Sequence, residues 1–508
     1  MSSTILPFAS TKDQGGKAMT ESSRRPIPTT VTPAPPPHVL MFPLPGQGHV
    51  TTMLNLAELL CLSNLRVTFL NSDHNHHRLL RFTTVQSRFA IYHQLFSLQS
   101  ISDGLPSDHP RSGERILDLF QSMSTITRDL FRDLLPSIRP PIDCLISDGA
   151  LQFPLEVAAE FGIPVVHFRT IGACCFWTYF CIPDMIEAGE LPIRGEEDME
   201  RLITTVPGTK EFLRCRDLPS FCRSPDLSHP SLQALASATQ QSTKACALIL
   251  NTFEGLEGPI LTQIAAHCPK TYTIGPIHEH LRSKLTLQPS SSSSSLWEED
   301  RSCLEWLDRH PPKSVLYVNF GSIAVMTSED LIEIWHGLVN SKQRFLLVMR
   351  QGSVAELGSN TNDTITFPEE LVKGVRGEEY MVVSGWAPQK EVLDHGAVGG
   401  FLTHSGWNST LETIVAGVPM ICLPYFADQQ VNSRFTSEVW KLGLDIKDAC
   451  TRKVVERMVV ELMVERKEDF ATSAAKMAEL ARSSVGFGGS SRQNLEALIE
   501  DIRSMKSK

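Results

Sequence analysis

The sequence lacks two features that mark whole classes of protein: long blocks of basic residues and long apolar runs. Its formal net charge is −10 and its pI is about 5.9. These values exclude nucleic acid and anionic membranes as main partners, because both attract cationic surfaces. The most apolar window, 163–182, contains His167 and Arg169, and its uncharged part, 170–182, is too short to cross a bilayer. This window therefore predicts a buried helix.

Regular cysteine spacing is also absent. The 12 cysteines include no C-x-x-C pair, which argues against a disulfide framework and against a zinc site. We expect most of these thiols to be reduced and buried in a cytoplasmic protein that needs no metal. The N-terminal segment has no long apolar run either, which excludes a secretory signal.

Composition divides the chain into two domains and two low-complexity segments. Its 508 residues are 42% hydrophobic and 20% charged, as in ordinary globular proteins of more than one domain. Residues 1–37 are rich in Ser, Thr and Pro and predict a disordered leader, although Arg24 and Arg25 also fit a transit peptide. Residues 281–296 contain six consecutive serines and predict a flexible linker. The predicted domains are 38–280 and 297–484, followed by a tail and helix over 485–508.

Short apolar runs alternate with helical patterns in both domains. In the first domain, HVLMFP leads through a glycine-rich turn and a helical pattern to LRVTFLNS; in the second, VLYVNFGS, FLLVMR and MVVSGW continue the alternation. This order predicts an α/β fold with a parallel sheet in each domain. The turn contains Gly46 and Gly48, but Thr51 stands where a dinucleotide fingerprint has its third glycine. An NAD-dependent oxidoreductase is therefore disfavoured.

Two polar residues stand at the carboxyl ends of predicted first-domain strands. His49 follows the first strand, and Asp148 ends the strand predicted over 142–147. Open α/β sheets bind their ligands at this edge. Taken alone, His49 also fits a cap of the following helix, and Asp148 fits an N-cap. Together they predict that an imidazole and a carboxylate meet at one edge of the sheet.

The most informative stretch covers residues 386–429, WAPQKEVLDHGAVGGFLTHSGWNSTLETIVAGVPMICLPYFADQ. Its centre predicts a buried strand over 400–403, a polar turn over 404–408 and a short helix closed by Gly417 and Pro419. Free N–H groups and the dipole at the start of that helix favour a phosphate, so the stretch suits a sugar nucleotide. Ser322, where another strand leads into a helix, fits either a phosphate donor or a plain turn serine.

The run 170–182 also supplies candidate contacts for a second, apolar substrate. Phe176, Trp177 and Phe180 recur at helical spacing within it. They fit either a hydrophobic core or the wall of a pocket. The sequence leaves both interpretations open.

Residues 386–429 resemble the signature box of plant family 1 UDP-glycosyltransferases. The resemblance extends over most of the chain from His38 but not over 1–37. The segment PGTKEFLRCRDLPSF looks like the branch of iridoid glucosyltransferases that act on 7-deoxyloganetic acid. Ser405 is a departure, since the family usually has Cys there. The residues at the family's spacing are Trp386, Pro388, Gln389, His395, His404, Gly406, Trp407, Asn408, Ser409, Glu412, Gly417, Pro419, Asp428 and Gln429.

The resemblance implies a GT-B fold, in which two Rossmann-like domains face each other across a cleft and a C-terminal helix returns to the first domain. It also implies that UDP-glucose is the co-substrate and binds to the second domain. The uracil would stack on Trp386, beside Gln389 and the backbone of Ala387, and Glu412 would accept from the ribose. The other donor contacts it implies are Ser322, His404, Asn408 and Ser409 for the diphosphate and Trp407, Asp428 and Gln429 for the sugar, with Gln429 typical of glucose users.

By the same resemblance, His49 is the catalytic base and Asp148 is its partner. Attack by an acceptor hydroxyl or carboxyl would give a β-glucoside by inversion. UDP would leave without a metal ion, which agrees with the absence of an Asp-x-Asp motif. An iridoid or other terpenoid acceptor is favoured, with a flavonoid or other phenolic as the alternative and a non-catalytic UDP-sugar sensor as a further hypothesis. We expect a cytoplasmic monomer of plant secondary metabolism.

Overall fold

Two β-sheets, one parallel and one mostly parallel, organise residues 36–508, which form one unit in this computed structural model. The structure describes residues 35–111, 113–268, 270–285, 295–350, 375–447 and 450–505. Nearly all of the predicted leader, most of the predicted linker and the polar loop 352–363 lie outside the described residues.

The first sheet contains the strands β1 (His38–Phe42), β2 (Arg66–Ser72), β3 (Phe96–Ile101), β4 (Cys144–Asp148), β5 (Val165–Arg169), β6 (Ala247–Leu250) and β7 (Thr271–Thr273). They are all parallel and follow the order β3-β2-β1-β4-β5-β6-β7. β1, β4, β5 and β6 are buried along their whole length. Such burial fits strands that have helices on both faces of the sheet.

The α-helices of the first domain connect these strands and cover the sheet. They are α1 (Gln47–Leu62), α2 (Asp73–Phe82), α3 (Val85–Ala90), α4 (Ile116–Ser122), α5 (Arg128–Leu134), α6 (Phe153–Glu160), α7 (Ala173–Phe180), α8 (Ile182–Glu187), α9 (Pro230–Gln241), α10 (Glu254–Ala265) and α11 (Ile277–Lys284). The apolar window of the sequence is β5 followed by α7, and every residue of α7 is buried, which confirms the predicted buried helix.

The second sheet contains β8 (Val315–Asn319), β9 (Arg344–Met349), β10 (Val375–Arg376), β11 (Tyr380–Ser384), β12 (Val398–Thr403), β13 (Met420–Cys422) and β14 (Gly443–Asp445). Their order is β10-β11-β9-β8-β12-β13-β14, and β10 alone of these runs antiparallel. The helices here are α12 (Ser302–Leu307), α13 (Ser328–Asn340), α14 (Gln389–Asp394), α15 (Trp407–Ala416), α16 (Gln429–Arg434) and α17 (Arg452–Val460). As predicted, α15 ends at Gly417, whose φ of 66° is left-handed.

The strand order explains which loops face each other. It reverses between β1 and β4 in the first sheet and between β8 and β12 in the second, and ligands of doubly wound sheets bind at such switch points. His49 follows β1 and Asp148 ends β4, while Ser322 follows β8 and His404 follows β12. Polar residues that are far apart in the sequence therefore meet at the carboxyl ends of both sheets.

The chain finishes with α18 (Lys467–Val485) and α19 (Ser490–Ser504). Leu495 and Leu498 of α19 are buried in the same core as Val39 of β1, and the side-chain amide of Asn494 donates to Thr273 Oγ1 at 2.9 Å. The predicted return of a C-terminal helix to the first domain is therefore confirmed. No helix in the described ranges is long and apolar enough to cross a membrane.

The first residues of the predicted linker are helical. Residues 281–284, predicted as the start of the linker, form the last turn of α11. The reason is packing, since His280 and Leu281 are buried at 0% and 7% exposure, which holds this turn against the first domain. The remaining domain boundaries stay as predictions.

Candidate functional site

A cleft of about 2540 Å³ runs along the carboxyl ends of both sheets. It is lined by loops and helix starts from each domain, as the topology requires. Asp148 and Ala387 are set behind its surface. The residues predicted from the sequence that line it are His49, Ser322, Trp386, Gln389, His404, Trp407, Asn408, Ser409, Glu412, Asp428 and Gln429.

His49 and Asp148 form a hydrogen-bonded pair. The Nδ1 atom of His49 lies 2.6 Å from Oδ2 of Asp148, and the side-chain exposures are 25% and 1% respectively. Because a carboxylate only accepts, the proton of the neutral ring is placed on Nδ1. The Nε2 lone pair is then left to take a proton from a group in the cleft.

Asp148 is held in its ionised form although it is buried. Burial alone would raise its pKa, but the charge and the hydrogen bond of His49 lower the pKa of Asp148 below its ordinary value, with help from the backbone N–H of Ala150. The backbone N–H of Leu44 donates to the same carboxylate at 3.3 Å. An ionised Asp148 can therefore orient the imidazole and stabilise the imidazolium that proton transfer creates.

Thr170 is a site residue that the sequence reasoning missed. It directly follows β5, lines the cleft, and its hydroxyl lies 2.7 Å from Nδ1 of His49. The signal that identifies it is the one used for His49 and Asp148, a polar residue at the carboxyl end of a buried strand. It was overlooked because its neighbourhood reads as one apolar run.

Two glycines make room for the ring of His404. A Cβ atom on Gly321 or on Gly406 would lie 2.5 Å from this ring, and Gly321 has a left-handed φ of 76°. Burial lowers the pKa of His404 to about 4, so the imidazole is neutral at pH 7. Ser322 follows Gly321 directly and shares this part of the cleft. The arrangement brings a neutral donor and a hydroxyl to the start of α15, where an anion is favoured.

Gln389 links the polar residues of the second domain into a chain. Its side-chain NH2 donates to Ser409 Oγ at 3.0 Å and to Glu412 Oε2 at 2.8 Å. Its carbonyl accepts from the amide of Asn319 at 3.4 Å. Burial raises the pKa of Glu412. This series of hydrogen bonds therefore fixes the Glu412 carboxyl in one orientation along the cleft.

The indole of Trp386 provides a flat surface at one end of the cleft. Its ring centroid is 6.3 Å from that of Trp297, with 22° between the planes. The guanidinium carbon of Arg78 lies 3.9 Å from the Trp297 centroid. Trp297 was missed because it directly follows the serine-rich segment. The side chain of Ala387 is fully buried, so this residue can offer a ligand only its backbone.

Asn408 and Trp407 connect the two domains in this structure. The side-chain NH2 of Asn408 donates to the carbonyl of Gly48 at 2.7 Å, and its oxygen accepts from the Thr52 hydroxyl at 2.9 Å. The indole N–H of Trp407 donates to the carbonyl of Asn251 at 2.8 Å. The polar side-chain groups of Asn408 and Trp407, which the sequence predicted as donor contacts, are therefore bonded to the first domain. Direct ligand contacts are therefore left mainly to the backbone N–H groups of the first turn of α15.

Asp428 and Gln429 stand at the start of α16. Asp428 accepts from Asn432 Nδ2 at 2.8 Å, and burial raises the pKa of Asp428. The carbonyl of the Gln429 side chain accepts from the backbone N–H of Tyr425 at 2.8 Å. Ser405, the departure from the family pattern, is fully buried behind the cleft. Within the described ranges, no three His, Cys, Asp or Glu side chains converge as metal ligands would.

The aromatic acceptor contacts predicted from the sequence lie in the core. Phe176, Trp177 and Phe180 belong to one buried hydrophobic cluster and do not line the cleft. Helical spacing cannot separate the two environments here, because α7 is buried on all sides. Tyr179 of the same helix is the residue that lines the cleft. The acceptor assignment is corrected accordingly.

The chain is similar to known glycosyltransferases. The model of the family described as UDP-glucoronosyl and UDP-glucosyl transferase matches residues 298–470. A 7-deoxyloganetic acid glucosyl transferase of Catharanthus roseus is 55% identical over 92% of this chain and 98% of its own. A myricetin 3-O-rhamnoside 1,2-glucosyltransferase of Crocosmia x crocosmiiflora is 42% identical over 92% of this chain and 96% of its own.

Solved structures show the same fold. Os79 from O. sativa in complex with UDP is 27% identical, with a TM-score of 0.73 over 91% of this chain and 100% of that one. UGT2 of Phytolacca americana, complexed with UDP-2fluoro-glucose and pterostilbene, is 26% identical, with a TM-score of 0.71 over 92% of this chain and 100% of that one. The fold is therefore GT-B, as the resemblance implied. The chain belongs to the UDP-glucoronosyl and UDP-glucosyl transferase family.

Proposed function

We propose that this enzyme transfers glucose from UDP-glucose to a hydroxyl of an iridoid acid and gives the β-glucoside by inversion. The observation that carries the proposal is the His49–Asp148 pair, with a hydrogen bond of 2.6 Å, in the same cleft as the donor residues. The relatives named for 7-deoxyloganetic acid, 55% and 54% identical to this chain, support the acceptor class.

In the proposed reaction, Nε2 of His49 takes the proton from the acceptor hydroxyl as its oxygen attacks the anomeric carbon. The bond between that carbon and the UDP oxygen breaks on the opposite face. Asp148 stabilises the imidazolium that forms. The negative charge that develops on UDP is met by the start of α15 and by His404.

The donor would bind along the second domain. Trp386 stacks on the uracil, and Glu412, fixed by Gln389, accepts from the ribose hydroxyls. Ser322, His404 and the first turn of α15 hold the diphosphate. Asp428 and Gln429 hydrogen-bond to the glucose hydroxyls. Binding of the diphosphate and of the glucose would require no metal ion. We further propose a cytoplasmic monomer, in keeping with free cysteine thiols throughout.

A flavonoid acceptor is the second candidate. The relative named for myricetin 3-O-rhamnoside favours it, and it is 42% identical to this chain. Both candidates share the donor chemistry and differ only in what fills the first-domain side of the cleft.

The test is an acceptor screen with UDP-glucose over iridoid acids, terpenoid alcohols and flavonols, run with the wild type, with His49→Ala, and with His93→Ala as a matched control. His93 is exposed and does not line the cleft. We expect glucoside formation to be highest with an iridoid acid. We also expect His49→Ala to lose about 10²–10⁴-fold in kcat, the usual contribution of a general base, while UDP binding measured by calorimetry is unchanged.

Two results would contradict the proposal. Unchanged turnover in His49→Ala would remove the base assignment. Binding of UDP-glucose without glucoside formation from any acceptor would indicate a sugar-nucleotide sensor instead. A flavonol as the best acceptor would replace the iridoid assignment and leave the chemistry intact.

A further inference from the structure

Arg169 is a buried cation on the wall of the cleft. It is the last residue of β5, is only 2% exposed, and lines the cleft beside Thr170. Since Asp148 pairs with Phe168 across β4 and β5, Arg169 emerges at the edge of the sheet that holds the catalytic pair. Its charge helps to lower the pKa of Asp148, but no atom of Arg169 takes part in the proposed reaction.

The guanidinium has little to bind within the protein. Its Nη1 donates to the carbonyl of Gly149 at 2.6 Å, whereas a guanidinium carries five N–H donors. Among the residues that the structure describes, it has no other hydrogen bond and no ion pair with a carboxylate. Arg111, another cation of the cleft, contrasts with it, because both oxygens of Asp103 accept from Arg111 at 2.8 and 2.9 Å.

The surrounding residues hold Arg169 in place. A Cβ atom on Gly149 would lie 2.7 Å from Cδ of Arg169, so the side chain passes where only a glycine leaves room. On its other side the guanidinium carbon lies 5.7 Å from the ring centroid of Phe176, within the range of a cation–π contact. Phe176, predicted from the sequence as an acceptor contact, thus lies under a residue that lines the cleft.

Asp148 and Asp428 favour the charged form of Arg169 through their own charge, but neither forms an ion pair with it, and both accept hydrogen bonds from other groups. Asp148 accepts from His49 and from two backbone N–H groups. Asp428 accepts from Asn432, and burial raises the pKa of Asp428. A buried cation without an ion-pair partner is costly. An anionic group on a ligand in the cleft would remove that cost.

We propose that Arg169 recognises a carboxylate on the acceptor and thereby selects acidic over neutral acceptors. This inference rests on the proposed function and adds the acceptor group that the enzyme recognises. A planar carboxylate matches the guanidinium fork and can accept two parallel hydrogen bonds. With the carboxylate held at the end of β5, a hydroxyl on the same small acceptor is directed towards His49. The carboxylate itself is not glucosylated.

The experiment compares an acid with its methyl ester. 7-Deoxyloganetic acid and its methyl ester are assayed with the wild type, Arg169→Met and Arg169→Lys. We expect the wild type to prefer the acid. Arg169→Met should lose at least about 10–100-fold in kcat/KM for the acid, because one hydrogen bond to a charged group alone contributes that much, and less than about threefold for the ester. Arg169→Lys should lie between them, since it keeps the charge but not the fork.

Several controls separate this role from others. Arg223→Met removes another cation of the cleft and should affect acid and ester alike. UDP affinity by calorimetry should be unchanged in every variant, which reports that each one folds. Equal losses on acid and ester, an acid-specific loss in Arg223→Met, or a loss confined to KM for UDP-glucose would overturn the proposal. A further result would also overturn it: if the wild type uses UDP-glucuronate and Arg169→Met does not, the arginine binds the carboxylate of the donor and not that of the acceptor.

Failure of the acceptor assignment remains distinguishable from failure of this inference. If the screen finds that iridoid acids are not used, the proposed acceptor class is wrong. The acid and ester comparison is then made on the best carboxylic acid in the screen, and preference for that acid in the wild type but not in Arg169→Met supports the role of Arg169. If no carboxylic acid is accepted at all, the inference is wrong.

Discussion

The two walls of the cleft are built in different ways. What we call the donor wall, from its proposed role, is the set of cleft-lining residues within 386–429. It comes from one continuous stretch, and Gln389 within it donates hydrogen bonds to Ser409 and Glu412. The acceptor wall, defined as the cleft-lining residues of the first domain, is gathered from separate helices and loops. Its apolar members include Leu117, Phe120, Leu151, Tyr179 and Phe221.

This difference allows donor recognition and acceptor recognition to vary separately. A wall whose polar groups are already linked is preorganised and holds one ligand without much loss of side-chain entropy. Apolar side chains from separate segments can change without disturbing that network. Relatives named for an iridoid acid and for a flavonoid rhamnoside, 55% and 42% identical to this chain, fit such a division.

Glu412 offers the largest test of the donor wall. We expect Glu412→Ala to weaken UDP binding by about 10–100-fold, because it removes a fixed carboxylate acceptor, and to leave KM for the acceptor within about twofold. Isothermal calorimetry and initial rates measure the two quantities. A large rise in acceptor KM without loss of UDP affinity would mean that the two walls are not independent.

Glu412→Gln should change the pH dependence of stability in a direction that follows from the pKa of Glu412. Burial raises the pKa of Glu412, so the folded state disfavours the ionised form, and stability is lost as the pH rises from the unfolded pKa through the folded one. At pH 7 the glutamine variant should therefore be at least as stable as the wild type, and this advantage should fade towards pH 4. Thermal unfolding across that range measures it, and a glutamine variant that is less stable at pH 7 would contradict this reading.

Asn408 should have a smaller and more structural effect. Because its side chain bonds to Gly48 and Thr52, Asn408→Ala should lower the free energy of unfolding by about 1–3 kcal/mol, and Thr52→Val, which removes one of the two bonds, by about 1 kcal/mol. Denaturant unfolding measures both. A drop in UDP affinity of more than about tenfold with unchanged stability would instead favour a direct diphosphate contact.

The fold was largely predictable because its signals are local: the alternation of strands and helices indicated both sheets. The donor contacts stay a prediction, and their signal is also local, because the stretch 386–429 contains most of the residues proposed to bind the donor. Long-range partners could not be predicted in the same way. The bonds from Asn408 to Gly48 and from Trp407 to Asn251 depend on how two domains meet. The sequence carries a signal for Thr170, a polar residue at the end of a buried strand, but placing Arg169 and Thr170 beside Asp148 required the knowledge that β5 lies beside β4.

The smallest expected effect concerns α7, where the sequence predicted acceptor contacts but the structure has core residues. Two neighbouring residues of this helix allow the core to be compared with the acceptor wall. Phe180 packs on Trp177 and His267, with centroid distances of 5.4 and 5.0 Å, whereas Tyr179 lines the cleft. Phe180→Leu should therefore cost about 1 kcal/mol of stability and leave acceptor KM unchanged, because its gap lies in the core. Tyr179→Leu should change acceptor KM by about two- to fivefold, since it removes part of the ring surface that lines the cleft. If Phe180→Leu alters acceptor preference and Tyr179→Leu does not, Phe180 contacts the acceptor as the helical spacing predicted, and α7 turns when the acceptor binds.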